Sequence, residues 1–207
     1  PVVLPVFSER QDDKRALCRG VLHTTQWTAC FVIPLVAFMA CFASELLLLA
    51  YGPKYVAMSI PFAVLCLQIL AQNQAVSLAG VYLAVGQPHL QRRFAIIRGL
   101  TIIGFMYPVA ALFGPIGAAF VIVFCNIAVL VMQVFKAREV IDLNLGRYIR
   151  TYVPGLLMAL PIVMTAELLW IFGVDSPVIV ITVTALVFIM TIAVSLLMLN
   201  RPLKNRD

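Results

Sequence analysis

Apolar residues arrive along this chain in long blocks, and polar residues collect in the gaps between them. Val21 to Ala50 is apolar, with Pro34 inside, and closes on Tyr51-Gly-Pro-Lys54. Tyr55 to Val85 follows and closes on Gly86-Gln-Pro-His-Leu-Gln-Arg-Arg93. Phe94 to Phe113 and Ile116 to Phe135 are separated only by Gly114-Pro115. After a mixed stretch from Lys136 to Arg150, Thr151 to Phe172 and Val178 to Leu199 flank Gly173-Val-Asp-Ser-Pro177. A bilayer core about 30 Å thick needs about 20 helical residues to cross it, and all six blocks reach that length. Barrel strands are about ten residues of alternating polarity, whereas these blocks are apolar on all faces. The pattern predicts an all-α polytopic membrane protein with six transmembrane helices.

Composition narrows the function classes. Of 207 residues, 63% are hydrophobic and 12% charged, against roughly 25% charged in soluble domains. A mean hydropathy of +1.03 is too high for a chain of this size with a water-facing exterior. A soluble enzyme, a disordered tail, a collagenous segment and a secreted disulfide scaffold are excluded. The five cysteines (Cys18, Cys30, Cys41, Cys66, Cys125) lack paired spacing and read as buried small apolar residues. The opening Pro1-Val-Val-Leu-Pro5 carries neither an initiator methionine nor a signal peptide, so the chain reads as a piece whose upstream part is missing.

Charge tests the helix count independently. With alternate gaps assigned to alternate sides, one side collects every Arg and Lys except Lys54, fourteen of the fifteen. The net charge of +6 divides into +8 on that side (fourteen basic, six acidic) and −2 on the other (one basic, three acidic). By the positive-inside rule both ends of the chain are expected to face the cytoplasm. The pI near 9.3 is a consequence of topology. Nucleic acid is excluded as a partner, because the basic residues form no stripe with interleaved aromatics. The chain divides into a polar link (1–20), four helices (21–135), a connector with amphipathic character at the interface (136–150), two further helices (151–199) and a tail (200–207).

Polar residues at membrane depth are costly and point to function. Gln68 and Gln72 share a face of the second helix, with Asn73 and Gln74 beside them and Ala71, Ala75 and Ala79 at helical spacing. They either line a water-filled path, offering amides to sugar hydroxyls, or join helix to helix in lipid. Arg98 lies about 8 Å inside the third helix; it either draws a diphosphate to the inner mouth or snorkels to the headgroups. Asn126 and Gln133 share a face of the fourth helix, where helix contact is the default. Glu45 and Glu167 are candidate coupling carboxylates, each with an interfacial alternative near the outer ends of their helices. Pro34, Pro61, Pro108, Pro154 and Pro161 are expected to bend or loosen their helices.

No catalytic constellation is present. His23 and His89 are isolated, and there is no GxSxG, HExxH or phosphate-loop motif. The gaps on the outer side are also too short to hold acceptor-binding groups. The chain is predicted not to be an enzyme and to use no cofactor and no metal.

Several stretches together resemble the polysaccharide flippase (O-antigen flippase-like) branch of the multidrug/oligosaccharidyl-lipid/polysaccharide exporter superfamily. They are Pro5-Val-Phe-Ser-Glu-Arg-Gln-Asp-Asp-Lys14, Ala43-Ser-Glu-Leu-Leu-Leu-Leu-Ala-Tyr-Gly-Pro-Lys-Tyr55, Val64-Leu-Cys-Leu-Gln-Ile-Leu70, Tyr82-Leu-Ala-Val-Gly-Gln87 and Phe113-Gly-Pro-Ile-Gly-Ala-Ala119. The resemblance covers nearly the whole chain in the family's order. It implies a two-lobe, alternating-access transporter of about twelve to fourteen helices that carries undecaprenyl-diphosphate-linked oligosaccharide outward. The chain would be most of the C-terminal lobe plus two accessory helices, with the N-terminal lobe, membrane lipids and the lipid-linked oligosaccharide as partners. Gln68, Gln72, Asn73, Arg98 and Asn126 are then the candidate substrate path. A multidrug cation exporter of the same superfamily and a non-transporting membrane scaffold are the alternatives. The first would expose Glu45 or Glu167 to the cleft, and the second would bury Gln68 and Gln72 between helices.

Overall fold

The computed structural model of the chain describes residues 14–172 and 176–199. The link before Lys14, residues 173–175 of the fifth gap and the tail from Asn200 lie outside them. Every regular element among the described residues is helical: α1 (Lys14–Cys41), α2 (Ala43–Tyr51), a 3₁₀ turn (Pro53–Met58), α3 (Ser59–Ala84), α4 (Pro88–Ile141), α5 (Leu145–Arg150), α6 (Val153–Ile171) and α7 (Pro177–Leu199).

The first apolar block is a bent rod. Phe42 leaves the helical region (φ −106°, ψ 29°). The bonds from Phe42 N to Phe38 O (3.1 Å) and from Leu46 N to Phe42 O (2.9 Å) nevertheless carry the helix across the bend. Gly52, at φ +88°, then stops α2 in the left-handed region that glycine adopts without a Cβ clash. The rod also starts earlier than the hydrophobic pattern indicates. Leu17 and Val21 in its first turns are fully buried, so the polar link ends in a helix with one apolar stripe.

α4 is 54 residues long, and a straight helix of that length would measure roughly 80 Å, more than two bilayer cores. It is instead a hairpin. Gly114 takes φ +62°, ψ −148°, and residues 28 and 42 positions apart touch across the fold: Arg98 with Asn126, and Gln91 with Gln133. Both pairs are centred on residue 112, so the arms 88–113 and 115–141 run antiparallel. At Gly117 a Cβ would stand 2.7 Å from Phe113 Cβ and 2.7 Å from Val109 O. Gly114 therefore supplies the reversal, and Gly117 lets the arms close.

Four helices among the described residues are long and apolar enough to cross a membrane: Arg15–Cys41, Pro53–Ala84, Pro88–Ile141 and Leu145–Ile171. The difference from the expected six has two causes. The third and fourth blocks merge into α4, because helical conformation lapses only at Gly114, and the last block is the 23-residue α7, whose side chains are described only as far as Ala193. Pro34, Pro108 and Pro161 lie inside helices as expected. Pro61 and Pro154 do not bend theirs. They occupy the first turns of α3 and α6, where the missing N–H has no carbonyl to lose.

The packing has two distinct ends. At one, Leu17 and Val21 of α1, Leu78, Val81 and Tyr82 of α3, both termini of α4, and Leu143 and Tyr148 beside α5 form the largest buried cluster. This is the end that carries Arg15, Arg19, Arg92, Arg93, Lys136, Arg138, Arg147 and Arg150. The opposite end, near Lys54, holds a smaller cluster of Phe42, Ile162 and Val180. Between them α1 and α6 approach through small residues. A Cβ on Gly155 would lie 2.5 Å from Ala29 O, and Ala29 and Ala159 are buried beside it. Such close approach is how helices associate without a hydrophobic drive from water. The outer surface is apolar, with Ile103, Tyr107, Leu112 and Trp170 each more than three-quarters exposed. Hydroxyls on that surface bond back to their own helix: Thr101 to Ile97 O, Thr165 to Pro161 O and Thr182 to Val178 O.

Candidate functional site

Four amide side chains and one guanidinium converge in the cleft between α3 and the α4 hairpin. Seven-residue spacing puts Gln91 and Arg98 on one face of the first arm, and Asn126 and Gln133 on one face of the second. The antiparallel pairing brings the two faces together. Arg98 Nη1 donates to Asn126 Oδ1 at 3.5 Å, and Gln133 Nε2 donates to Gln91 Oε1 at 3.5 Å. With Gln72 from α3 they line a cavity of about 210 Å³. Its remaining lining is Ala75, Val76, Phe94, Ala95 and Val129, so among the described residues Arg98 is the only charged group in it.

The arrangement is polar and incompletely satisfied. Gln133 is 2% exposed, yet its Oε1 has no hydrogen-bond partner. Asn126 is 6% exposed and donates its Nδ2 to Ile122 O at 2.7 Å, leaving Oδ1 to Arg98. A cation and several amides at membrane depth can hold water, a polyhydroxylated ligand or an anion. Below this cavity Tyr82, fully buried, donates to Gln133 O and packs on Phe94 with ring centroids 5.8 Å apart. That contact locks α3 to both arms of the hairpin.

The amide cluster of α3 is split by the helix. Gln68 donates to Gln72 Oε1 at 3.3 Å; Gln68 is half-buried, and Gln72, though exposed, also lines the cavity. Asn73 bonds back to Ile69 O at 2.8 Å and does not line the cavity. Gln74 is buried on another face, with its Oε1 unpartnered. Of the expected path residues, the structure thus joins Gln72, Arg98 and Asn126 in one cavity, puts Gln68 at its edge and leaves Asn73 aside. Gln91 and Gln133 belong to the site as well. Gln91 was hidden because it lies in the stretch read as a loop, although Pro88 at a helix's first turn and the seven-residue step to Arg98 both mark it.

Glu45 and Glu167 share a second cavity of about 370 Å³ near the opposite end, with Cys41, Phe42, Ala166, Leu169, Trp170 and Val180. Glu45 Oε2 is buried without a partner, while Glu167 is exposed. His23, isolated in sequence, accepts from Trp27 Nε1 at 3.0 Å through its Nε2, one turn away on α1. Among the described residues no three His, Cys, Asp or Glu side chains are placed to hold a metal ion together.

Comparison with known proteins bears on this arrangement at two levels. A family model described as "Polysaccharide biosynthesis protein" matches residues 1–60. Nearly the whole chain has the fold of a polytopic membrane transporter. It is similar to the solved structure described as "Lipid II flippase MurJ, inward closed conformation", with a TM-score of 0.70, 17% sequence identity, 97% of this chain covered and 44% of that one. The chain thus spans under half the length of the transporter it matches. No curated protein matches it. The family model and the fold both support the resemblance to the flippase branch of the superfamily.

Proposed function

We propose that the chain is the C-terminal portion of a bacterial transporter that moves lipid-linked oligosaccharide, carried on undecaprenyl diphosphate, across the cytoplasmic membrane by alternating access. It does so without covalent catalysis. The observation that carries this reading is the Gln72–Gln91–Arg98–Asn126–Gln133 cavity, a polar, singly cationic cleft inside a fold shared with a lipid flippase. Amides are suited to sugar hydroxyls, and a guanidinium is suited to a phosphate oxygen. The prenyl tail stays in lipid, while the head passes between this lobe and the rest of the transporter. On this reading residues 21–135 belong to the lobe, 151–199 are accessory helices, and both ends of the chain are cytoplasmic.

The test is cysteine accessibility at Gln68 and Gln72 in the complete transporter. Labelling by a water-soluble maleimide that changes when substrate is supplied supports a transport path. Full protection in every condition overturns it and favours a scaffold. A second reading, cation export, is favoured by the cavity that Glu45 and Glu167 share. Transport of an organic cation that is lost in E45Q would favour it over the glycan reading.

A further inference from the structure

The largest cavity described lies at the basic end and takes no part in the site above. It measures about 710 Å³ and is lined by Arg15, Cys18, Arg19 and Leu22 of α1, Ile141 and Asp142 at the end of α4, and Arg147 of α5. Among the described residues the lining thus carries the guanidiniums of Arg19 and Arg147, with Arg15 beside them, and one carboxylate, Asp142. The local fold builds this deliberately placed charge. Asp142 ends α4 in the left-handed region at φ +52°, one of the few residue types that tolerates it. Asn144 Oδ1 then accepts from Arg147 N at 3.2 Å, fixing the start of α5. Ile141, Leu143 and Tyr148 are buried, and they anchor the connector against Leu17 and Val21 of α1.

We propose that this cavity seats the phosphate headgroup of an anionic phospholipid. Two features select a lipid over a soluble anion. The cavity lies where α1 passes from its last arginine, Arg19, to its apolar span, which is headgroup depth, and Leu22 and Ile141 give it an apolar wall. Arg147 also borders an adjoining cavity of about 450 Å³ with Arg150, Gln26, Thr151, Val153 and Pro154. The basic rim therefore continues towards the lipid-facing surface of α6, where Val153 is half exposed. Basic pockets between helices at this depth are suited to anionic headgroups, and each nearby Arg or Lys strengthens the attraction. Arginine adds bidentate geometry for phosphate oxygens.

The test uses the full chain in detergent, with lipid retention read by native mass spectrometry. Phosphatidylglycerol should be retained about tenfold or more over phosphatidylcholine, and R19Q/R147Q should remove about thirtyfold of its affinity at low salt. R92Q/R93Q, with the same charge change outside the cavity, should leave it nearly unchanged. D142N removes the carboxylate described in the cavity with a residue that also tolerates the left-handed region, so it should tighten phosphatidylglycerol binding several-fold without relying on a destabilising change. Equal retention of the two lipids, equal losses in the two double variants, or no gain in D142N each overturn the proposal. Millimolar inorganic phosphate should not displace the lipid; displacement would assign the cavity to a free anion instead.

Discussion

Arg98 and Asn126 are 28 positions apart in sequence and meet at 3.5 Å. This single contact establishes that α4 doubles back, because a continuous helix would hold the two residues roughly 42 Å apart. It also explains how a guanidinium can lie within an apolar block. Among the described residues Arg98 is surrounded by neutral amides from two arms of one hairpin and from α3, and no acid lines the cavity to neutralise it. A buried acidic partner would spend the charge internally, whereas amides leave it available to an anionic or hydroxylated ligand.

The hairpin itself can be tested by cross-linking. In a background without the five native cysteines, Q91C and Q133C should be joined by a short bis-thiol reagent, since these side chains are in contact. Q91C with F113C, at the base and tip of one arm, should not react. Cross-linking is read as a shift in mobility after cleavage of an engineered protease site near residue 114. A failure of the first pair under conditions that label both cysteines would remove the antiparallel arrangement.

Replacing Arg98 by Gln in the complete transporter should lower transport at least tenfold, because a hydrogen bond to a charged group is worth about 1.5–3 kcal/mol. R98K should recover part of the loss, since it keeps the charge but not the planar fork. Unchanged flipping of a fluorescent lipid-linked oligosaccharide in proteoliposomes containing R98Q would place the path elsewhere. N126A should act in the same direction but more weakly, because Asn126 holds the guanidinium and adds no charge of its own.

The apolar blocks were legible in the sequence because lipid leaves little choice: each stretch must be helical and long enough to span. Gly114-Pro115 was legible as a turn for the same reason, but the depth of contact between its arms was not. Gly117 matters through a 2.7 Å approach to Val109 that no local pattern reveals. The bend at Phe42 leaves no trace because it costs no helical hydrogen bond. Gln91 was concealed by the polarity of its neighbours, which made a helix's first turns look like a loop. Nothing in the spacing relates residue 45 to residue 167, so their shared cavity is a property of how the end of α1 and the start of α2 meet α6 and α7.

Two glycines in the interior of helices should respond oppositely to the same substitution. At Gly155 an added methyl would lie 2.5 Å from Ala29 O and 2.8 Å from Ile33 Cδ1, so G155A should destabilise by about 1–3 kcal/mol as α1 and α6 are pushed apart. At Gly99 nothing lies within 4 Å, so G99A should be neutral or stabilising by up to about 1 kcal/mol through backbone entropy. Thermal denaturation of the detergent-solubilised chain compares them. Equal effects would mean that the α1–α6 approach is not tight.

Tyr82 joins α3 to both arms of the hairpin, with its ring against Phe94 and its hydroxyl on Gln133 O. The carbonyl of Gln133 sits in a helix, where the i+4 amide is already available to it, so Y82F should cost only about 1 kcal/mol. Y82A removes a fully buried ring and should cost about 3–5 kcal/mol. The ratio, measured by denaturant titration in mild detergent, separates packing from hydrogen bonding. Near-equal losses would show that the hydroxyl, not the ring, dominates.

The gathering of basic residues at one end makes orientation testable residue by residue. Arg93, at the start of α4, and Arg150, at the end of α5, share that end, while Lys54 lies beyond Gly52 at the other. The basic residues described at that end, from Arg15 and Arg19 to Arg147 and Arg150, favour its retention in the cytoplasm. In intact cells a membrane-impermeant maleimide should therefore label K54C, and it should label R93C or R150C only after permeabilisation. External labelling of both R93C and R150C would invert the orientation. External labelling of only one would break the shared end that the largest buried cluster defines, and with it the number of crossings between them.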